Sequence, residues 1–296
     1  MLWENLRSEE FDEAIERSKG LCVVPVGCIE KHGHHLPVGA DWFEGIGLCT
    51  MAAEMEDAVV FPTGAWVGDV CGAHSMKHPE DYGQRGYIAI SPNTLMTVLM
   101  ELCDEIHRNG FHKILLVSAH GGNDGLMEMI GKQYRYADKD YVMLTCETIG
   151  RNKESYMPWF YEHIKSRRDE FPDLTDEDMD LLKYHADRKT NVGHADFVES
   201  AMVMGLRPEL VRLDRHHLAN GESIHRTDPL ASAGLIGSFY WGSDYPHSYS
   251  GVSPEGLTEA IGKAHVRVLA ERLARIYKVF KEDTDAYRML KRLPKE

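Results

Sequence analysis

The 296-residue chain has no C-x-x-C pair among its six cysteines, no apolar run long enough to cross a bilayer, no internal repeat and no excess of basic charge. Each absence removes a class of protein. Dispersed thiols (Cys22, Cys28, Cys49, Cys71, Cys103, Cys146) make neither a zinc ribbon nor a disulfide scaffold, and most read as buried side chains. With 47 acidic against 33 basic residues, the formal charge of −14 repels phosphate backbones and anionic membrane surfaces, so neither nucleic acid nor membrane is expected as a partner. Met1–Ser18 carries no charged-then-apolar leader with a small-residue cleavage site, and the expectation is a soluble, cytoplasmic protein. A hydrophobic content of 43% is enough to fill a sizeable core, which makes disorder a poor default.

What the chain does have is histidine. Its 16 histidines cluster in stretches rich in Gly, Asp and Glu, where an ordinary core has little use for them, and this is the first pointer to metal chemistry. Short β-branched runs at Leu21–Val26, Ala58–Pro62, Lys113–Ser118 and Tyr141–Cys146 are spaced widely enough for intervening helices. That spacing predicts an α/β fold, a mostly parallel sheet with helices on both faces. Ser91–Gly110 reads as a helix with Ser-Pro at its start and a glycine at its end, and a last long helix is predicted from about Ser253-Pro254 through Ile276. Residues 150–190 turn charged and aromatic, which suggests a helical excursion laid over the core; residues 1–296 are read as one domain carrying it. The aromatics of Tyr156–Tyr161 exceed what a lone lid should expose, and so predict a homo-oligomer.

Three segments could carry chemistry. In Pro25–Asp41, PVGCIEKHGHHLPVGAD, Glu30 and His32 are two apart in an extended chain and project to one side, while Gly33, Pro37 and Gly39 let the backbone return Asp41 to them. Asp41 taken alone is better read as the N-cap of a helix beginning at Trp42; the trio together favours ligation. In Ser118–Asp124, SAHGGND, His120 leaves the end of a predicted strand, and loops at the carboxyl ends of parallel strands are where such sheets place active sites. In Asn191–Ser200, NVGHADFVES, His194 precedes a helix that would hold Asp196 and Glu199 in its first turns, where a dipole-complementing role competes with a functional one.

Taken together, these segments resemble the creatininase family. The first resembles its Gly, then Glu-x-His-Gly-x-His-Leu-Pro, then Asp signature; SAHGGND resembles its Asn-Gly-His-Gly-Gly-Asn; GYIAISPNTL and VGHADFVES resemble two further motifs in the same order. The resemblance implies two divalent metal ions per subunit, with Glu30 and His120 on one ion, His32 on the other and Asp41 bridging. It implies proton transfer by His194, a small-molecule substrate and a hexamer. Three departures stand out: Gly122 occupies the place of a ligand Glu, Asp196 that of a Gly, and Thr190 that of a tryptophan that covers creatinine. Glu199 is the candidate replacement ligand. The expected reaction is hydrolysis of a C–N bond by a metal-activated water, with Zn, Mn or Fe all compatible with a mixed O/N set. Ring opening of a cyclic ketone of the dehydro-inosose type and a non-catalytic metal-binding scaffold are the alternatives. His34, His35, His74 and His78 are second-rank candidates for orienting substrate or ligands.

Overall fold

The structure is a computed structural model that describes residues 1–70, 85–150, 155–190, 192–235 and 241–283; His74, His78 and Cys71 lie outside the described residues. Four strands, β1 (Leu21–Val26), β2 (Val59–Val60), β3 (Lys113–Ser118) and β4 (Val142–Glu147), form one sheet in the order β2-β1-β3-β4. All pairings are parallel. The register pairs Val26 with Ser118 and Ser118 with Glu147, so β1, β3 and β4 end level and their following loops open on one edge. β2 is shorter than the run Ala58–Pro62 suggested: Phe61 still donates to Val23, but Pro62 has no N–H to carry the ladder further.

Alternation along β1 divides the core. Leu21 and Val23 face one side with Leu115 and Val117, against helices α2 (Ala40–Met55), α5 (Tyr156–Ser166), α6 (Asp176–Asp187), α7 (Phe197–Leu206) and α9 (Glu259–Glu282). Cys22, Val24 and Val26 face the other with Ile114 and Leu116, against α1 (Phe11–Arg17), α3 (Pro92–Arg108) and α4 (Asp124–Tyr136). The short α8 (Asp228–Ser232) belongs to the long connection before α9. Side chains on β1, and on β3 between its ends Lys113 and Ser118, are therefore apolar, as a strand covered on both faces requires. The sheet has helices on both faces, as expected.

Ser91 caps α3 by accepting from Thr94 N at 3.4 Å, with Pro92 at the first helical position. The last helix begins later than its apolar pattern suggested. Gly256 sits at φ +78 and Leu257 N donates to Pro254 O, a turn that breaks the helix until Thr258 caps it. The 150–190 excursion is helical, and it is part of the core. Tyr156, Phe160, Ile164 and Leu182 are buried in the same cluster as β1 and β3, each fully buried large side chain contributing roughly 1.5–3 kcal/mol. Of its aromatics, Trp159 is 38% exposed while Tyr156 and Phe160 are buried, so the apolar surface that suggested a second subunit is largely covered within this one. Among the described residues no helix is long and apolar enough to cross a membrane.

Candidate metal centre

Three loops meet at the level ends of β1 and β3. The first needs close backbone approach: a Cβ on Gly27 would lie 2.8 Å from the backbone of Trp42, so only glycine lets the start of α2 sit against the strand end. Gly33, at φ +57, then turns the chain. Asp41 is not the N-cap that it suggests in isolation. The helix starts at Ala40 with Gly39 in the cap position, and the Asp41 carboxylate turns inward, accepting from Cys28 Sγ at 2.9 Å. The second loop is clamped to the first by Asn123, whose amide donates to Val26 O and accepts from Asp69 N. The third, Gly193–Glu199, is held by a bridge between His194 and Ser250. Asp196 is the N-cap of α7, accepting from Val198 N and Glu199 N, and is thereby occupied as a structural group. Ala195, fully buried at φ +55, carries the strain of a left-handed non-glycine residue, on the order of 1–2 kcal/mol, and donates its N–H to Glu199.

These loops bring Glu30, His32, Asp41, His120, His194 and Glu199 into one buried cluster, and Asp41 lies at its middle. Its Oδ2 is 3.4 Å from His120 Nδ1, which is 3.3 Å from Glu30 Oε1. Its Oδ1 is 3.3 Å from His32 Nε2, which is 3.7 Å from Glu199 Oε2. The two oxygens of Asp41 thus serve two donor groups, each compact enough to hold an ion: Cys28, Glu30, Asp41 and His120, and His32, Asp41 and Glu199. A third grouping, Glu30, His32 and His194, overlaps both. His32 Nε2 and Asp41 Oδ1 are fully buried, and although 3.3 Å apart they are misaligned and neither has a hydrogen-bond partner. Atoms that converge without satisfying each other are arranged as ligands around a common ion are, and the donor set fits divalent cations.

Each histidine has its tautomer set from outside. His32 Nδ1 faces Glu30 O at 3.2 Å, His120 Nε2 faces Asp69 O at 2.8 Å and His194 Nε2 faces Lys31 O at 2.9 Å. Donation to those carbonyls turns the other ring nitrogen of each toward the centre, the arrangement expected of ligating or proton-accepting imidazoles. Charge in the cluster is strongly coupled. Burial raises Glu30, and burial with the neighbouring Asp41 and Asp196 carboxylates pushes Glu199 up to about 8 against the pull of His32. Burial opposes charge on His32, but Asp41, Glu199 and Glu30 outweigh it and push the pKa up to about 10, while Asp41 is held well below the usual range by His32 and His120 despite its burial. Burial and the neighbouring His32 push His194 down to about 3, leaving it neutral. In the protein alone, protons stand where the carboxylates call for cationic charge.

A model of the family described as creatinine amidohydrolase matches residues 4–277. The chain belongs to the creatininase family. It is 21% identical over 214 residues to creatinine amidohydrolase of Pseudomonas putida, covering 70% of this chain and 72% of that one. It is 27% identical over 103 residues to 3-dehydro-scyllo-inosose hydrolase of Thermotoga maritima, 34% of this chain and 30% of that one. The fold matches the crystal structure of creatininase at a TM-score of 0.65 and 17% identity, covering 96% and 98% of the two chains. A manganese form of creatininase matches at 0.64 and 16% identity over 95% and 99%.

In this creatininase-family hydrolase a cavity of about 390 Å³ opens over the centre, lined by Glu30, His120, His194 and Glu199 together with Tyr87 and Trp241. A larger cavity of about 830 Å³, between Asp124, Glu147 and Arg272, touches none of the clustered donors. Of these two cavities it is the smaller that combines those donors with an aromatic wall. Trp241 stands edge-on to His194 at 5.0 Å and stacks on Tyr245. Sequence reasoning missed Trp241, for which no local signal exists, and Tyr87, which lies inside a quoted motif. It also missed Glu44, one helical turn beyond Asp41, whose buried carboxyl is pushed well above the usual carboxylate range by burial and by the nearby Glu199 and Asp41. Spacing of i, i+3 could have found it. Of the second-rank histidines, His35 is buried against Ser200 Oγ at 3.0 Å, and His34 faces His247 near the surface.

Proposed function

We propose that the chain hydrolyses a C–N bond in a small cyclic or linear amide, with two divalent cations held by Glu30, His32, Asp41, His120 and Glu199 and with proton transfer by His194. The observation that carries this reading is the division of Asp41, one oxygen to each donor group. When bound, such cations supply a water acidified toward neutral pH and an electrophile for a carbonyl oxygen. Everything else is the work of the chain. Glu199 takes the ligand place that Gly122 leaves open, its Oε2 lying beside His32. His194 holds its Nε2 proton against Lys31 O, so Nδ1 is the atom that receives a proton from the attacking water and returns it to the departing nitrogen. Trp241 and Tyr87 offer flat walls to a small planar substrate and keep bulk water from the reacting carbonyl.

The zinc and manganese forms among the structural relatives support a divalent metal, and iron remains compatible with the donor set. Creatinine itself is not the proposed substrate, because both Gly122 and Thr190 depart from the creatinine-hydrolysing pattern. The match to a dehydro-inosose hydrolase favours one second reading, hydrolytic opening of a cyclic ketone by the same water. A hexamer remains part of the proposal on the family resemblance alone. Metal analysis of chelator-free protein should find two ions per subunit, and a screen of lactams, formamides and cyclic ketones should find turnover. Two ions without turnover on any of them would leave the scaffold reading.

A further inference from the structure

We infer that Cys28 is a ligand of the first ion, and that its sulfur makes that position select zinc, iron or cobalt over manganese. The inference rests on the reading of Glu30, Asp41 and His120 as ligands. Cys28 and Glu30 stand two apart in the segment after β1 and fall in one donor group with Asp41 and His120. The Cys28 side chain is fully buried, its Sγ lies 2.9 Å from Asp41 Oδ2, and Sγ belongs with Glu30, Asp41 and His120 to a group of four donor atoms all within 4.8 Å of one another. Ligand atoms at the corners of a tetrahedron with bonds of roughly 2.0–2.3 Å stand roughly 3.3–3.8 Å apart. His120 Nδ1 meets that spacing to both carboxylates, at 3.3 and 3.4 Å; Sγ, which donates to Asp41 Oδ2 at 2.9 Å, stands closer and would move out to the fourth corner when its proton is replaced by the ion. Asp41 Oδ1 and His32 Nε2, in the second donor group, have no hydrogen-bond partner, so the Asp41 carboxylate that the two groups share is placed for more than the cluster's own hydrogen bonds. On ligation the S–H bond breaks, its proton passes to solvent and the sulfur electron pair forms the bond to the ion. A thiolate is a soft donor, suited to zinc and to the later divalent metals and poorly to manganese, which prefers oxygen.

The test is cobalt substitution of the full chain, read by absorption and by metal content. Wild type loaded with Co(II) is expected to show a sulfur-to-cobalt charge-transfer band in the near ultraviolet. Cys28→Ser should keep its cobalt stoichiometry but lose that band. In competition, its preference for zinc over manganese should fall by more than the roughly 10–100-fold that removal of an outer hydrogen-bonding partner costs. Cobalt bound without the band, or a band that survives in Cys28→Ser, overturns the thiolate ligand and leaves the two-metal reading standing. No cobalt uptake by wild type overturns both.

Discussion

Two charged regions of this molecule treat their charges in opposite ways. In the excursion, Arg167 grips Glu170 and Glu271 with paired hydrogen bonds of 2.6–2.9 Å, and Arg267 joins both carboxylates; every one of these groups is partly solvated and matched. At the centre, Asp41 and His32 are buried with an atom each that has no hydrogen-bond partner, and Glu199 is crowded by the Asp41 and Asp196 carboxylates. The first pattern holds a fold together and asks for nothing else. The second is costly unless another group arrives, since a buried charge without a partner loses its hydration with no return. Unsatisfied burial, rather than charge density, is what separates a site from a surface.

The largest effect should come from breaking the centre at its middle. Asp41→Asn removes the negative charge shared by both donor groups, and is expected to take metal content from two ions to none and turnover to background. Glu199→Gln should lose only the second ion, going from two to one. Equal losses from the two substitutions, measured by metal analysis on folded protein, would sink the bridging assignment.

His194→Ala should leave metal content near normal while turnover falls on the order of 10²–10⁴-fold, the usual range for a general acid or base. Metal and rate are measured on one preparation. A parallel fall in both would make His194 a ligand, in keeping with the third donor grouping, and no change in either would make it structural.

The next effect belongs to a buried histidine outside the centre. His265 stacks on Phe160 at 3.8 Å, and burial pushes its pKa down to about 3. Between that value and about 6.5 the unfolded chain binds a proton that the folded chain refuses, so stability is full at neutral pH and falls as pH drops through the window. Going from pH 7 to 5 should cost ~2 kcal/mol through this group alone. Urea unfolding of His265→Phe should show a correspondingly flatter pH dependence; an unchanged slope would contradict the assignment.

The smallest effect is the control for the comparison. Arg167→Ala in the matched network should cost about 1 kcal/mol, less in high salt, with metal content and turnover unaffected. A loss of metal on that change would mean that the excursion supports the centre directly.

Much of the fold was legible in the chain because its signals are local. Apolar runs at β1 and β3 match their predicted bounds, and Ser91-Pro92 marks the start of α3. Errors arose where backbone geometry overrode side-chain pattern. Pro62 ends β2 early, and the turn at Gly256 delays α9. Isolated Asp41 read as a cap, whereas the cap of this kind is Asp196. The excursion's aromatics suggested a subunit contact because composition reports how much apolar surface exists and says nothing of which neighbour covers it.

By itself, then, the sequence determined an acidic α/β chain with a parallel sheet, and it nominated Glu30, His32, Asp41, His120, His194 and Glu199, because strand alternation and short motifs act over a few residues. Tertiary structure decided the rest. The level register of β1 and β3 brings residues 30 and 120 together, and the packing of α7 sets 199 beside 32. Only that convergence gives Asp41 one oxygen for each donor group, adds Cys28 to the first and Glu44 beneath the second, and sets Trp241 against His194. Distances between groups scores of residues apart are set by packing, and packing is a property of the whole chain.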